Sequence, residues 1–370
     1  MCAQKNHPAA YTMIKMFYTG GTIGMQKNDD GVLVPKPNAF KDRIKKMPQL
    51  HNEEEAKKLK RIDESDFVLV NMDGKCKFIY NIEEYFPLLD SSNISPESWV
   101  QLARDIKKYY EHYDAFIILH GTDTLAYTAS ALSFMLINLE KPIILTGSMI
   151  PIFEVRTDAT NNMVCSLILA GCYKIPEVAI FFGNKLYRGN RTTKTSADSL
   201  SAFDSINYPP LAVMDSLESV EYDNILDGVR NSNNFFIQDT LCNDVLVLPV
   251  YPGIKGETLR AILKAPIKGV VLQCFGAGNI PTRPDVIEAL REAVQEKILI
   301  VRVSMCLKGA VSDLYEVGAI LGKVGVVPGY DMTTEAALGK LCCVLGNALL
   351  TFDERCEIMK TNIRGELTDV

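Results

Sequence analysis

Positive charge is in short supply in this chain, where 39 Lys and Arg stand against 45 Asp and Glu, a net −6 with histidine neutral. Such a balance lacks the electrostatic footprint of a nucleic-acid binder, and no basic arm supplies one locally. No stretch approaches the roughly 18 uninterrupted apolar residues of a membrane span. Nor does the N-terminus combine a basic start, a long apolar core and a small-residue cleavage site. The expectation is a soluble, cytoplasmic protein with neither membrane nor nucleic-acid partners. Histidine is scarce, at four residues, and the ten cysteines form no C-x-x-C pair. No metal-ligand spacing results, so neither metal nor cofactor is called for, and the cysteines read as reduced core thiols. Internal repeats and low-complexity tracts are missing as well.

What is present is a regular alternation of apolar strands and amphipathic helices. Residues 12–18 read as a buried strand, followed by a hairpin (67–71 and 77–82, joined across Met72-Asp73-Gly74), helix 96–112, strand 115–120, helix 122–138, strand 142–146, helix 158–172 and strand 178–182. This pattern predicts an α/β fold with a parallel sheet covered by helices on both faces. Between about 204 and 244 the alternation fades into polar residues such as Asn231-Ser232-Asn233-Asn234, then resumes to the C-terminus. The expected organisation is a larger N-terminal parallel-sheet domain over 12–210, a linker over 211–243 and a smaller C-terminal α/β domain over 244–370. At 370 residues the chain is long enough for two such cores.

Three strand ends carry hydroxyl and charged side chains. The first strand runs into Thr19-Gly20-Gly21-Thr22, where glycine permits positive φ and a sharp turn that aims the threonines into a cleft. Taken alone, such a turn is more often simple turn chemistry than a nucleophile. The strand at 115–120 runs into Gly121-Thr122-Asp123-Thr124, and Arg191-Thr192-Thr193-Lys194-Thr195 places a lysine among hydroxyls. In an open α/β sheet these ends border the ligand crevice. Threonine, aspartate and lysine there form a candidate proton relay. His120 reads as a structural hydrogen-bonder.

At these residues the chain resembles the bacterial-type L-asparaginase family, cytoplasmic type I branch. Its two signatures match as Tyr18-Thr19-Gly20-Gly21-Thr22-Ile23-Gly24 and Leu119-His120-Gly121-Thr122-Asp123-Thr124, and further segments match at 187–194, 275–279 and 364–368. The resemblance implies a two-domain asparaginase-like fold and hydrolysis of L-asparagine to L-aspartate and ammonia. It assigns Thr19 as nucleophile, with Thr122, Asp123 and Lys194 as relay. A carboxylate beside the lysine raises its pKa and burial lowers it, so the sequence leaves the lysine's charge open.

Asp90, Ser91 and Ser92, which in isolation read as turn residues before a helix, match the segment that holds the substrate's α-amino and α-carboxylate groups. Ser91 and the Thr122 helix start suit the carboxylate, and Asp90 or Asp123 the amine. The resemblance also implies a homodimer or homotetramer whose sites are completed by a partner's second domain. The matching residues there are Asn279 and, within Ser312-Asp313-Leu314-Tyr315-Glu316, Tyr315 in preference to Glu316. A lid is expected over 26–37; where family members carry a lid tyrosine, this chain has Gly31-Val32-Leu33-Val34-Pro35. Some type I relatives have a separate asparagine effector site. Cys306 matches one of its positions, but Gln273 stands where an arginine is found, so weak or absent allostery is expected. Two rival readings share these features. One is the amidohydrolase subunit of a tRNA-dependent amidotransferase, which normally adds an N-terminal barrel; the other is a catalytically inactive asparagine-binding regulator, against which the four retained residues argue.

Overall fold

A computed structural model describes residues 11–59, 63, 65–70, 77–216, 218–228, 234–314 and 316–368. The first domain is built on a nine-stranded sheet. Its centre is parallel, with strands Val178–Phe182, Ile143–Thr146, Ala115–Leu119, Thr12–Gly20 and Lys77–Leu89 lying side by side in that order. Apolar side chains point both ways. Ile14, Met16 and Tyr18 of the first strand join Ile117 and Leu119 in one core with helices Ala39–Lys45 and Ala159–Cys172. Phe17 joins Phe116 and Ile118 in the other, against helices Pro96–Tyr109 and Leu125–Met135. Such two-sided burial is why these strands read as unbroken apolar runs, and each large side chain removed from water contributes roughly 1.5–3 kcal/mol.

The parallel reading holds only for this centre. Lys185–Arg188, Ala212–Met214 and Glu218–Val220 extend one edge antiparallel, and Asp66–Val70 closes the other antiparallel to Lys77–Leu89. Short antiparallel additions need no crossover helix, so no periodicity announces them. The stretch read as a linker, 211–243, therefore contributes two strands to the first sheet, and Phe236–Ile237 pairs with Leu136–Ile137. The turn at 72–74 and residues 231–233 lie outside the described residues.

The second domain is a four-stranded parallel sheet, Val245–Pro249, Gly269–Cys274, Leu299–Ser304 and Val327–Pro328. Helices Gly256–Ile262 and Pro284–Gln295 cover one face, and Thr334–Gly346 with Phe352–Lys360 the other. Cysteines 165, 242, 274, 342 and 343 are free and buried, as expected of core thiols, whereas Cys306 is free and exposed. Cys172 departs from that reading: it is disulfide-bonded, at the exposed last residue of its helix and outside the core. Among the described residues, no helix is long and apolar enough to cross a membrane.

One topological step positions the site. The chain leaves Lys77–Leu89 on one side of the first strand, passes through helix Pro96–Tyr109 and re-enters the sheet as Ala115–Leu119 on the other side. The carboxyl ends of these three strands thus converge where the winding reverses, the usual crevice of an open α/β sheet.

Candidate active site

The register of the first strand breaks at Thr19. Tyr18 lies opposite Glu84 but Gly20 lies opposite Leu89, so residues 85–88 loop outward across from Thr19. Gly20 and Gly21 have φ of 126° and 84°, and a β-carbon at Gly20 would sit 2.2 Å from the Leu89 carbonyl oxygen. Only glycine fits both demands. Thr19 is 3% exposed and its Oγ1 donates to the Leu119 carbonyl at 3.1 Å. It also borders a cleft of about 660 Å³ with Tyr85, Phe86, Pro87 and Leu89.

The adjoining strand end brings the three candidate relay residues together. Lys194 Nζ donates to Thr122 Oγ1 at 2.9 Å and to Asp123 Oδ1 at 2.7 Å. Lysine only donates, so Thr122 Oγ1 accepts here and its own hydrogen stays uncommitted. Before them, His120 is wholly buried: its Nδ1 faces the Gly121 carbonyl at 2.7 Å, its Nε2 faces Thr128 Oγ1 at 3.0 Å, and Trp99 Nε1 donates to that hydroxyl at 3.1 Å. The indole N–H fills one acceptor position of Thr128, which then donates to Nε2 and leaves the proton on Nδ1. Burial pushes the imidazole pKa down to about 4, the state of a neutral structural hydrogen-bonder.

Ser91 ties the third strand end to this loop. It is buried, its carbonyl accepts from Thr124 Oγ1 at 2.7 Å, and a β-carbon at Gly121 would lie 2.5 Å from its Oγ. Asp90 is exposed and spends Oδ1 on the Ser92 N–H (2.9 Å) and hydroxyl (2.8 Å), bonds that hold its pKa below the usual range. The turn bonds expected of Asp90 are thus present, made through one carboxylate oxygen.

Residues 13–225 match the family model described as asparaginase, N-terminal, and residues 244–359 match the glutaminase/asparaginase C-terminal domain. The chain belongs to the asparaginase family. A protein named L-asparaginase from Dirofilaria immitis is 44% identical over 96% of this chain, and a human protein named 60 kDa lysophospholipase is 42% identical over 95%. The chain spans 60% and 61% of those two relatives' own lengths. L-asparaginase 1 of Escherichia coli K12 is 40% identical over 96% of this chain and 98% of its own. The solved structure of L-asparaginase I from Vibrio cholerae superposes with a TM-score of 0.83 at 38% identity, covering 97% of this chain and all of that one.

The remaining residues singled out in this asparaginase-family chain lie in its second domain or at its surface. Asn279 is exposed, its backbone bridged to Phe275 just beyond strand Gly269–Cys274. Tyr315 lies outside the described residues, and Glu316 opens helix Glu316–Val324. Cys306 and Gln273 share a cavity of about 190 Å³ with Thr193 and Glu335, and Gln273 Nε2 donates to Thr334 Oγ1 at 2.9 Å. The lid stretch forms a hairpin of Met25–Lys27 with Leu33–Pro35 whose turn carries Val32, 57% exposed.

Sequence reasoning missed what holds Lys194. Thr193 Oγ1 donates to Glu335 Oε1 at 2.6 Å, and Arg191 is buried between Asp331 (2.8 Å), the Gly365 carbonyl (2.7 Å) and Thr368 (3.1 Å). Burial pushes the Glu335 carboxyl up. At Asp331 burial acts the same way, yet bonds from Thr368 and Arg191 bring it below the usual range. The only signal in the sequence was indirect: arginine, threonine and lysine in one short polar run.

Proposed function

We propose that this chain hydrolyses L-asparagine to L-aspartate and ammonia through Thr19. The observation that carries this reading is the bridge from Lys194 Nζ to Thr122 Oγ1 and Asp123 Oδ1, at the strand end beside the one that bears Thr19. Thr19 Oγ attacks the side-chain amide carbon, the C–N bond breaks as a proton reaches nitrogen, and ammonia leaves an ester on Thr19. Water then cleaves the ester, so the reaction balances with water alone. The Thr19 proton now points at the Leu119 carbonyl. Rotation about the threonine side-chain bond frees it to pass toward the Thr122–Lys194–Asp123 set, where the ion-paired lysine stabilises developing negative charge.

Ser91 and the start of helix Leu125–Met135 suit the α-carboxylate, since unpaired N–H groups and the helix dipole favour an anion there. Asp90 and Asp123 each keep a second carboxylate oxygen for the α-amino group. A second copy of the chain, as homodimer or homotetramer in the cytoplasm, supplies Asn279 and Tyr315. The amidotransferase alternative is weaker, because L-asparaginase 1 matches at 40% over 98% of its own length, whereas two amidotransferase D subunits match at 32% and 31% over 67% and 76% of theirs.

The test is ammonia release from asparagine and from glutamine by wild type and Thr19→Ala. Wild type should turn over asparagine, and the variant should keep its circular dichroism while losing orders of magnitude in rate. Substantial turnover by a folded Thr19→Ala sinks the nucleophile assignment; a wild type inert to asparagine sinks the reading. Glutamine's extra methylene is worth about 1–3 kcal/mol of discrimination. A lysophospholipid arm belongs in the same assay, given the human relative's name.

A further inference from the structure

Among the described residues, the largest side chain buried outright is a cation that the chemistry above does not use. Arg302 lies within strand Leu299–Ser304 of the second domain and is 0% exposed. A charge in that place is costly unless its partners are specific, and a hydrophobic residue of similar volume is the common alternative.

Its partners are two neighbouring segments. On one side is the turn after strand Gly269–Cys274: a β-carbon at Gly278 would fall 2.3 Å from Arg302 Nη1, so the guanidinium lies flush against that glycine. On the other is the loop before helix Glu316–Val324, where Nη2 is ion-paired with Asp313 and Nη1 reaches the Ser312 carbonyl at 3.5 Å. The segments also touch directly. Ser312 N–H donates to the Ala277 carbonyl at 3.0 Å, and Val311 would lie 3.1 Å from a Gly278 β-carbon. Among the described residues Arg302 Nε has no partner, so the fork is committed there through its two terminal nitrogens. The turn ends in Asn279.

We propose that Arg302 is a positioning residue. Ion-paired with Asp313, it locks loop 311–314 onto the turn at 276–279 and so fixes where Asn279 stands when it reaches a partner's Thr19. This inference rests on the amide-hydrolase reading with shared sites. An apolar side chain would fill the same space in the strand, but it has no donor for the Ser312 carbonyl or the Asp313 carboxylate. The role asks for the cation, and the core does not.

The experiment compares full-length wild type, Arg302→Met, Asp313→Asn and the double variant. Methionine keeps the volume, and the carboxylate left behind, Asp313, is 53% exposed and open to water, so Arg302→Met should still fold with a cooperative thermal transition. Its KM for asparagine should rise at least tenfold with a smaller change in kcat, and Asp313→Asn should shift the same way. The double variant should be no worse than the worse single one, because both break one lock. Co-expression of Arg302→Met with Thr19→Ala should return a component with the wild-type KM, since the mixed oligomer keeps one site with an intact Thr19 and an intact partner loop.

An unchanged KM in Arg302→Met, losses that multiply in the double variant, or no rescue in trans would each overturn the proposal. Should Arg302→Met fail to fold, Asp313→Asn, whose side chain is 53% exposed, carries the same readouts. Hydrogen exchange of the 276–279 and 309–314 amides needs no substrate, and it should rise in these two segments alone. Unchanged exchange there refutes the lock, whereas a wild type inert to asparagine refutes only the hydrolase reading.

Discussion

Gly21 and Gly121 meet backbone to backbone. A β-carbon on Gly21 would lie 2.3 Å from the Gly121 Cα, so the two signature loops are in contact at the positions where neither has a side chain. From its other face, Gly121 abuts Ser91. Three strand ends are therefore held as one unit by a single residue's lack of bulk.

The substitution Gly121→Ala should push the buried Ser91 out of register with the loop that its carbonyl helps anchor. Overpacking of this kind costs about 1–3 kcal/mol. If Ser91 grips the substrate's α-carboxylate, KM for asparagine rises more than kcat falls. Kinetics alongside a urea titration check both parts, and a wild-type KM in a folded, destabilised variant would remove Ser91 from the binding set.

His120 makes stability depend on pH. Burial holds its native pKa at about 4 against an ordinary 6.5, so between those values the unfolded chain binds a proton that the native chain refuses. Stability is fully present above about pH 6.5 and declines as pH falls toward 4, by about 2 kcal/mol between pH 7 and 5 from this group alone. Replacing it as His120→Gln should flatten that part of the slope in urea titrations at the two pH values. An unchanged slope would mean that other groups carry it.

Substrate saturation should be hyperbolic or nearly so. Gln273 has no cation to offer a carboxylate effector, and one of its two amide N–H donors is already spent on Thr334. Rate curves for wild type and Cys306→Ser should superimpose. A sigmoidal wild-type curve that Cys306→Ser abolishes would show that the cavity binds an effector without an arginine.

Co-expressing Thr19→Ala with Asn279→Ala tests whether sites are shared between subunits. Each variant alone should be nearly inactive. In a mixed dimer with shared sites, one site carries both defects and the other carries none, so activity returns. If every chain builds its own site, both sites stay broken and the mixture is as inactive as its components.

The buried centre of the sheet was legible because Ala115–Leu119 and Val178–Phe182 are unbroken apolar runs, and a strand covered on both faces leaves no other pattern. The antiparallel edges were not, since Lys185–Arg188 and Glu218–Val220 are short and polar enough to pass for loop. Helix Phe352–Lys360 was not anticipated; a capping box opens it, in which Thr351 and Glu354 bond reciprocally. Thr122, Asp123 and Lys194 could be named from their motifs, yet Glu335 and Asp331 could not. Each is some 140 residues distant in sequence from the side chain it holds, and nothing local marks a buried carboxylate as a partner for Thr193 or Arg191.

The arginines just ahead of Lys194 are fastened by the last residues described. Both Arg188 and Arg191 donate to the carbonyl of Gly365, Asn190 donates to the carbonyl of Arg364, and Thr368 completes the Arg191–Asp331 cluster. Residues 364–368 leave the ribosome after everything they clamp. While the chain is still being made, the first sheet can assemble, but the segment that carries Lys194 has no tail to fasten it. In a nascent chain the contacts of Arg188, Asn190 and Arg191 with this tail are therefore among the last to form, after the first sheet has its strands.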